Sequence, residues 1–189
     1  KARTFDDSGR LVSEAPPGLG ATTYTYDVPN RSKTASRPDG STVTESRYRD
    51  GRPKSRTGTG VVPEYFSHGV QSDGRRWSRT DKGLLSSPRW ETTLVDWAGR
   101  TLRKERPGFT GQPSAVEENT YLAITGRLSK TTRTGFAPTR YEYDLLGSVV
   151  RTGLDLNDNG LVLASNDRIS EKESLIELFN GAYWRKTME

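Results

Sequence analysis

His68 is the only histidine in the chain, so any Ser-His-Asp relay would have to use it as the base. It lies in Tyr65-Phe-Ser-His-Gly69, with no strand-turn-helix nucleophile elbow beside it. It reads as a surface or turn histidine. The absence of cysteine closes off thiol catalysis and thiolate zinc sites. The carboxylate pairs Asp6-Asp7 and Glu117-Glu118 are adjacent, so on a strand their side chains point to opposite faces. Glycoside hydrolysis needs two carboxyls facing one site about 5–9.5 Å apart, and nothing in these spacings sets that up. Asp27, Asp96 and Asp144 recur where turns are expected, and a turn is the chemistry they suit. Gly58-Thr-Gly60 has neither the lysine nor the strand-loop-helix context of a phosphate loop. These features name no catalytic residue, and the expectation is a protein that is not an enzyme.

Two patterns could bind. Within 155–167, Asp155, Asn157, Asn159 and Leu161 occupy positions one, three, five and seven of a calcium loop, with Gly160 at six. Position twelve is Asn166 where a bidentate Glu belongs, with Asp167 next to it. Calcium is thus the one candidate cofactor and its binding would be weak; Asn-Asp-Asn-Gly also reads as a plain turn, which is the favoured reading. The second pattern is basic. Arg47, Arg49, Arg52 and Arg56, then Arg75, Arg76 and Arg79, interleave with Tyr48 and Trp77. A single-stranded nucleic-acid groove combines cations and stacking rings in this way, but no recognition module accompanies them. Arginine beside aromatic residues on strands more often covers a ring and keeps a sheet soluble. No specific nucleic-acid partner is expected.

The elements that would carry these residues are short strands. Of the 189 residues, 31% are hydrophobic and 28% charged, a lean supply for one compact core, while 9% aromatic content argues against disorder. Nineteen glycines and ten prolines favour turns over long helices. Net charge is +5, which leaves a polyanionic partner open. No stretch approaches the roughly 20 apolar residues of a membrane-spanning helix.

A repeat runs through the chain. Tyr24-Thr-Tyr26-Asp27-Val-Pro-Asn30-Arg31 resembles Tyr141-Glu-Tyr143-Asp144-Leu-Leu-Gly147. Partial copies are Phe5-Asp6-Asp7-Ser8-Gly9-Arg10-Leu11 and Asp96-Trp97-Ala98-Gly99-Arg100; weaker ones surround Gly51, Gly74 and Gly126. The markers Gly9, Asn30, Gly51, Gly74, Gly99, Gly126 and Gly147 are 21, 21, 23, 25, 27 and 21 residues apart, a solenoid-like period. Tyr-x-Tyr puts two rings on one strand face. The Asp begins a turn by accepting a backbone N–H, and the Gly three residues on supplies a positive φ; Asn30 substitutes because Asn tolerates that region. Turns are predicted at Asp6–Gly9, Asp27–Asn30, Asp96–Gly99 and Asp144–Gly147, and the tyrosines are expected to stack on equivalents in neighbouring units. Near the C-terminus, Ser170 with Glu173 could cap a helix, whereas Asn180-Gly181 between two apolar runs signals a two-residue hairpin; the hairpin agrees with the rest and is preferred. The expected fold is all-β: repeated antiparallel hairpins forming a twisted, spiralling sheet across 1–189.

The Tyr-x-Tyr-Asp-x-x-Gly-Arg-Leu pattern resembles the YD repeats of bacterial Rhs proteins, insecticidal toxin-complex shells and teneurins. The matching residues are Tyr24, Tyr26, Asp27 and Arg31, then Asp96, Gly99 and Arg100, then Tyr141, Tyr143, Asp144 and Gly147; Ser148 replaces the usual Arg. The resemblance implies a non-catalytic segment of a secreted or cell-surface bacterial shell. Its partners would be further YD repeats of a longer parent chain and an enclosed toxin domain, with no membrane span. It also implies that the sequence opens in mid-unit. The rival readings are an extracellular module binding glycans or other anionic polymers, and a glycan hydrolase on a β scaffold.

Overall fold

The computed structural model describes residues 2–84, 89–171 and 173–188, and among them every regular element is a strand. The chain divides into two compact units, Lys1–Thr92 and Thr93–Glu189. The first contains β1 (Ala2–Phe5), β2 (Leu11–Ala15), β3 (Thr22–Asp27), β4 (Ser32–Ser36), β5 (Thr42–Arg47), β6 (Pro53–Thr57), β7 (Glu64–Val70) and β8 (Arg76–Lys82). Strand β9 (Trp90–Val95) spans the boundary. The second contains β10 (Thr101–Arg106), β11 (Ala115–Tyr121), β12 (Leu128–Arg133), β13 (Phe136–Tyr143), β14 (Val149–Leu154) and β15 (Arg168–Glu171), then β16 (Glu173–Phe179) and β17 (Ala182–Met188). Strands β1 to β15 hydrogen-bond in strict sequence order, and β16 pairs with β17. The fold class is the expected one: an all-β, open, twisted antiparallel sheet of hairpins.

Local chemistry sets the turns. In one recurrent frame the first residue's N–H donates to the fifth residue's carbonyl, and the fourth, a glycine, donates to the first. It holds at Asp6–Arg10 (2.9 and 2.9 Å), Asp96–Arg100 (3.0 and 3.0 Å) and Asp144–Ser148 (3.0 and 3.1 Å), as predicted. It also holds at Tyr48–Arg52, Gln71–Arg75 and Arg37–Ser41. The glycine takes φ of 75–94° at Gly9, Gly40, Gly51, Gly74, Gly99 and Gly147, a region that other residues enter only under strain. The fifth residue's N–H is served in two alternative ways. An Asp at position one accepts it at Arg10, Arg100 and Ser148. An Asp at position three accepts it at Ser41, Arg52 and Arg75.

The Asp27 turn departs from prediction. Asp27 is the last residue of β3 and pairs with Ser32, the turn is Val28–Arg31, and the positive φ (50°) falls on Arg31, not Asn30. With no glycine at position four, Asn30 instead ties itself to the Asp27 carboxylate through its N–H (3.1 Å) and its side-chain amide (2.7 Å). The left-handed residue moves one place on, giving a four-residue loop. At the other end of the chain the hairpin reading holds. Asn180 (φ 50°) and Gly181 (φ 77°) form the two-residue turn, and Phe179 pairs with Ala182.

Because consecutive strands pair antiparallel, alternate turns lie at the same strand ends. In the first unit, the turns marked by Gly9, Asn30, Gly51 and Gly74 share one end; in the second, those marked by Gly99, Gly126 and Gly147 do. Strand interiors are held by cross-strand polar pairs: the Thr34 and Thr44 hydroxyls are 2.8 Å apart, and those of Ser46 and Ser55 2.6 Å. Such pairs contribute about 0.2–1 kcal/mol each. Among the described residues of 2–171, only Val43 and Val162 are buried apolar side chains apart from glycine. The sheet carries almost no conventional core.

Candidate functional site

The tyrosines that mark the repeat are half-buried and share faces as expected: Tyr24 with Tyr26, and Tyr141 with Tyr143, while Thr25 and Glu142 between them are exposed. Their neighbours are not other rings. The guanidinium of Arg10 lies 4.9 Å from the Tyr26 ring centre, Arg100 lies 4.7 Å from Tyr121 and Arg127 lies 5.5 Å from Tyr143. Lys33 covers Tyr24 at 4.1 Å, and Arg79 covers Trp90 at 4.6 Å. Among the described residues of 2–171 the one aromatic pair is Tyr48 edge-on to His68, 6.1 Å apart. The expectation of ring-on-ring stacking between units is corrected: cations cover the ring faces, which leaves the phenol tips free for hydrogen bonding.

Those tips complete a recurring clasp. The Tyr26 hydroxyl donates to the Leu11 carbonyl (2.8 Å), Tyr121 to Thr101 (2.8 Å) and Tyr143 to Leu128 (2.7 Å). In each case the acceptor immediately follows the arginine that covers the same ring. One hairpin therefore offers Arg and the next carbonyl, and the following hairpin offers Tyr. The arginine is also anchored backwards, since Arg10 Nε donates to Asp6 and Arg100 Nε to Asp96, both at 2.7 Å. It also reaches forwards, Arg100 Nη1 to the Gly126 carbonyl (3.1 Å) and Arg127 Nη1 to that of Asp144 (3.4 Å). A Cβ on Gly147 would collide with the Arg127 guanidinium, so Gly147 serves close approach as well as the turn.

The electrostatics follow the same bonds. The Arg10 N–H, with its guanidinium and the Ser8 N–H, holds the Asp6 carboxyl below its ordinary range. Burial pushes Asp96 up, but the Arg100 N–H and guanidinium outweigh it and the net shift is downward. Burial raises the Tyr121 and Tyr143 phenols. These groups stay charged, or stay neutral, across the physiological range, as a structural fastening requires.

The calcium-type loop is organised around an arginine from the neighbouring strand. Asp155 is fully buried, and its Oδ2 accepts from Arg140 Nε at 2.5 Å. The Asn159 and Gly160 N–H groups donate to its two oxygens at 3.1 and 3.0 Å. Burial raises the Asp155 carboxyl, while Arg140 and these two N–H groups more than offset it, so the net direction is down. The Asn157 and Asn159 side-chain oxygens accept the N–H groups of Asn159 and Leu161 in local turns. Asp167 closes the loop by accepting from Leu156 and Leu163. Of the proposed ligands, Asp155, Asn157 and Asn159 are thus brought together as acceptors for in-chain donors. The Leu161 carbonyl joins no hydrogen bond in the set formed by those three side chains. Val162 and Ile169 press on Gly153, where a Cβ would clash with both.

The arginine clusters are largely paired. Arg52 meets Asp50 (2.6 Å), Arg75 meets Asp73 (3.1 Å), Arg79 meets Asp81 (2.7 Å) and Arg56 meets Glu45 (3.7 Å). His68 Nε2 lies 3.3 Å from the Pro53 carbonyl. The described residues contain no group of three or more His, Cys, Asp or Glu poised around a metal, and no helix among them is long and apolar enough to cross a membrane. Comparison with protein-family models and with curated protein sequences returns no match.

Proposed function

We propose that this chain is a non-catalytic structural segment of a secreted or cell-surface shell of the Rhs/YD-repeat kind, whose service is to enclose or present a toxin domain. The observation that carries the reading is the clasp. Tyr26, Tyr121 and Tyr143 each join one hairpin to the one before it through a backbone carbonyl, beside an Arg that covers the same ring, and Asp96 anchors Arg100 within its own turn. Residues committed in this way suit a wall that propagates. Among the described residues β1 pairs with β2 and β15 with β14, and each leaves its other edge open. An open edge is a template for another strand, and further repeats of a parent chain fit it by chemistry and by period.

The test is amide hydrogen exchange with and without a synthetic hairpin peptide of sequence 22–36. Protection appearing on the outer N–H groups of β1 or β15 supports edge-to-edge propagation. Unchanged exchange at both edges, at peptide concentrations that saturate a weak complex, counts against it.

A further inference from the structure

Three turns that share one strand end of the second unit carry large apolar side chains where turn chemistry favours polar ones. The Asp96–Arg100 turn presents Trp97, the Leu122–Arg127 turn presents Ile124, and the Asp144–Ser148 turn presents Leu145 and Leu146. Trp97 is 85% exposed, Ile124 98% and Leu146 78%, and Leu145 is completely exposed. By contrast, the first-unit turns marked by Gly9, Gly51 and Gly74 hold Asp7-Ser8, Arg49-Asp50 and Ser72-Asp73 at the corresponding places. Alternate turns are two strands apart, so neighbouring tips stand about 10 Å from each other along a rim about 20 Å long.

The polar groups behind the tips are already bonded within the chain. In each turn the first N–H donates to the last carbonyl (3.0, 2.7 and 3.0 Å), and the glycine N–H returns to the first carbonyl (3.0, 2.8 and 3.1 Å). The Asp96 and Asp144 carboxylates accept the N–H groups of Arg100 and Ser148. Arg100 is paired with Asp96, and Arg127 lies over Tyr143 and reaches the Asp144 carbonyl. An apolar row backed in this way marks an interaction site. Four side chains of this size expose on the order of several hundred Å², less than the roughly 800 Å² per partner of a stable protein interface. A bilayer sets no such threshold, because each tip enters it separately and adds its own transfer free energy. Backbone taken into lipid must bring its hydrogen bonds with it, and tryptophan favours the headgroup level.

We propose that this rim docks on a lipid bilayer surface, with Ile124, Leu145 and Leu146 entering the outer acyl layer and Trp97 seated among the headgroups. Because the charges behind the tips are bonded within the turns, insertion drives the binding and anionic headgroups add little. The site does not depend on the shell reading, which is tested at the strand edges and stands or falls separately.

The probes are large unilamellar vesicles of phosphatidylcholine alone and of an equal mixture of phosphatidylcholine and phosphatidylserine, used in flotation with the full chain at low and high salt. The wild-type chain should float with both, and salt should leave the phosphatidylcholine binding unchanged because no exposed charge pair is being screened. Tryptophan emission should move to the blue on adding vesicles, and that shift should vanish in Trp97→Ser. Trp97→Ser, Ile124→Ser and the double variant Leu145→Ser with Leu146→Ser should each lower the partition coefficient about tenfold or more, the loss of one inserted side chain. Their melting temperatures should hold, as for exposed substitutions generally. Phe136→Ser removes an exposed ring from the opposite strand end and should stay within about twofold of the wild type, as a surface change away from the site does. The proposal is overturned if neither vesicle is bound, if Phe136→Ser loses as much as the rim variants, or if Trp97→Ser floats like the wild type. Binding confined to the phosphatidylserine vesicles and abolished by salt would also overturn it, in favour of charge attraction. Absent vesicle binding, with self-association that the rim variants abolish in sedimentation, would reassign the row to a second copy of the chain.

Discussion

Tyr143 tests the clasp most cleanly, because its hydroxyl and its ring make separable contributions. The hydroxyl donates to Leu128 O at 2.7 Å, and the ring is half-buried beneath the Arg127 guanidinium. Tyr143→Phe removes the donor and leaves a partly buried carbonyl without its partner, which should cost about 1 kcal/mol. Tyr143→Ala removes the ring as well. Full truncation of a buried aromatic costs roughly 3–5 kcal/mol; at half burial about half of that applies, so the total should be about 2 kcal/mol. The loss of the Arg127 contact, about 0.5–1 kcal/mol at an exposed site, lies within that sum. The control is Tyr24→Phe, since the Tyr24 ring is covered by Lys33 but its hydroxyl holds no clasp; its change should stay within about 0.5 kcal/mol, as for a surface substitution. Urea unfolding followed by circular dichroism gives all three, provided that the m-value is unchanged. If Tyr143→Phe matches the wild type and Tyr143→Ala loses less than about half a kcal/mol, a value typical of surface positions, the ring faces solvent and the clasp is not a fastening.

Other perturbations follow from the same contacts. Gly153→Ala places a methyl against Val162 and Ile169 and should destabilise by about 1–3 kcal/mol, as overpacking does, with a lower thermal midpoint as readout. Asp6, Asp50, Asp96 and Asp155 have lowered carboxyl pKa values, so their stabilisation is complete above the unfolded value of about 3.9 and is lost as pH falls through the folded values. Thermal melts should therefore be flat from neutral pH to about 5 and drop steeply below about 4; a midpoint unchanged at pH 2.5 would contradict this. Tyr121 and Tyr143 are raised, so stability should hold below about pH 10 and fall as pH climbs through their folded values. Arg140 already supplies the positive charge beside Asp155, so millimolar calcium should leave the melting temperature unchanged. A rise with calcium would show that the ion displaces the guanidinium.

The turns were legible because their chemistry is local. Asp at position one and Gly at position four determine the Asp6, Asp96 and Asp144 turns within five residues. The shared faces of Tyr24–Tyr26 and Tyr141–Tyr143 follow from strand alternation alone. The clasp was not legible, because Arg100 and Tyr121 meet only once the β10–β11 and β11–β12 registers are fixed. A signal was nonetheless present: an Arg after the turn and a Tyr before the next recur as Arg10 and Tyr26, Arg100 and Tyr121, and Arg127 and Tyr143. The Asp27 turn misled because Asn30 looks like a left-handed residue, whereas its amide is better used on the Asp27 carboxylate. In the 155–167 loop the acceptors Asp155, Asn157 and Asn159 were legible, but Arg140, which donates to Asp155, was not, because it lies 15 residues upstream, outside any local motif.

The central claim is that these hairpins form a wall whose edges take further strands, and sedimentation velocity over a wide range of protein concentration addresses it directly. Open edges at β1 and β15 predict a sedimentation coefficient that rises with concentration as chains pair edge to edge. A single monomeric species, unchanged from the lowest concentration to the highest, would show that the sheet is self-sufficient and would contradict the account.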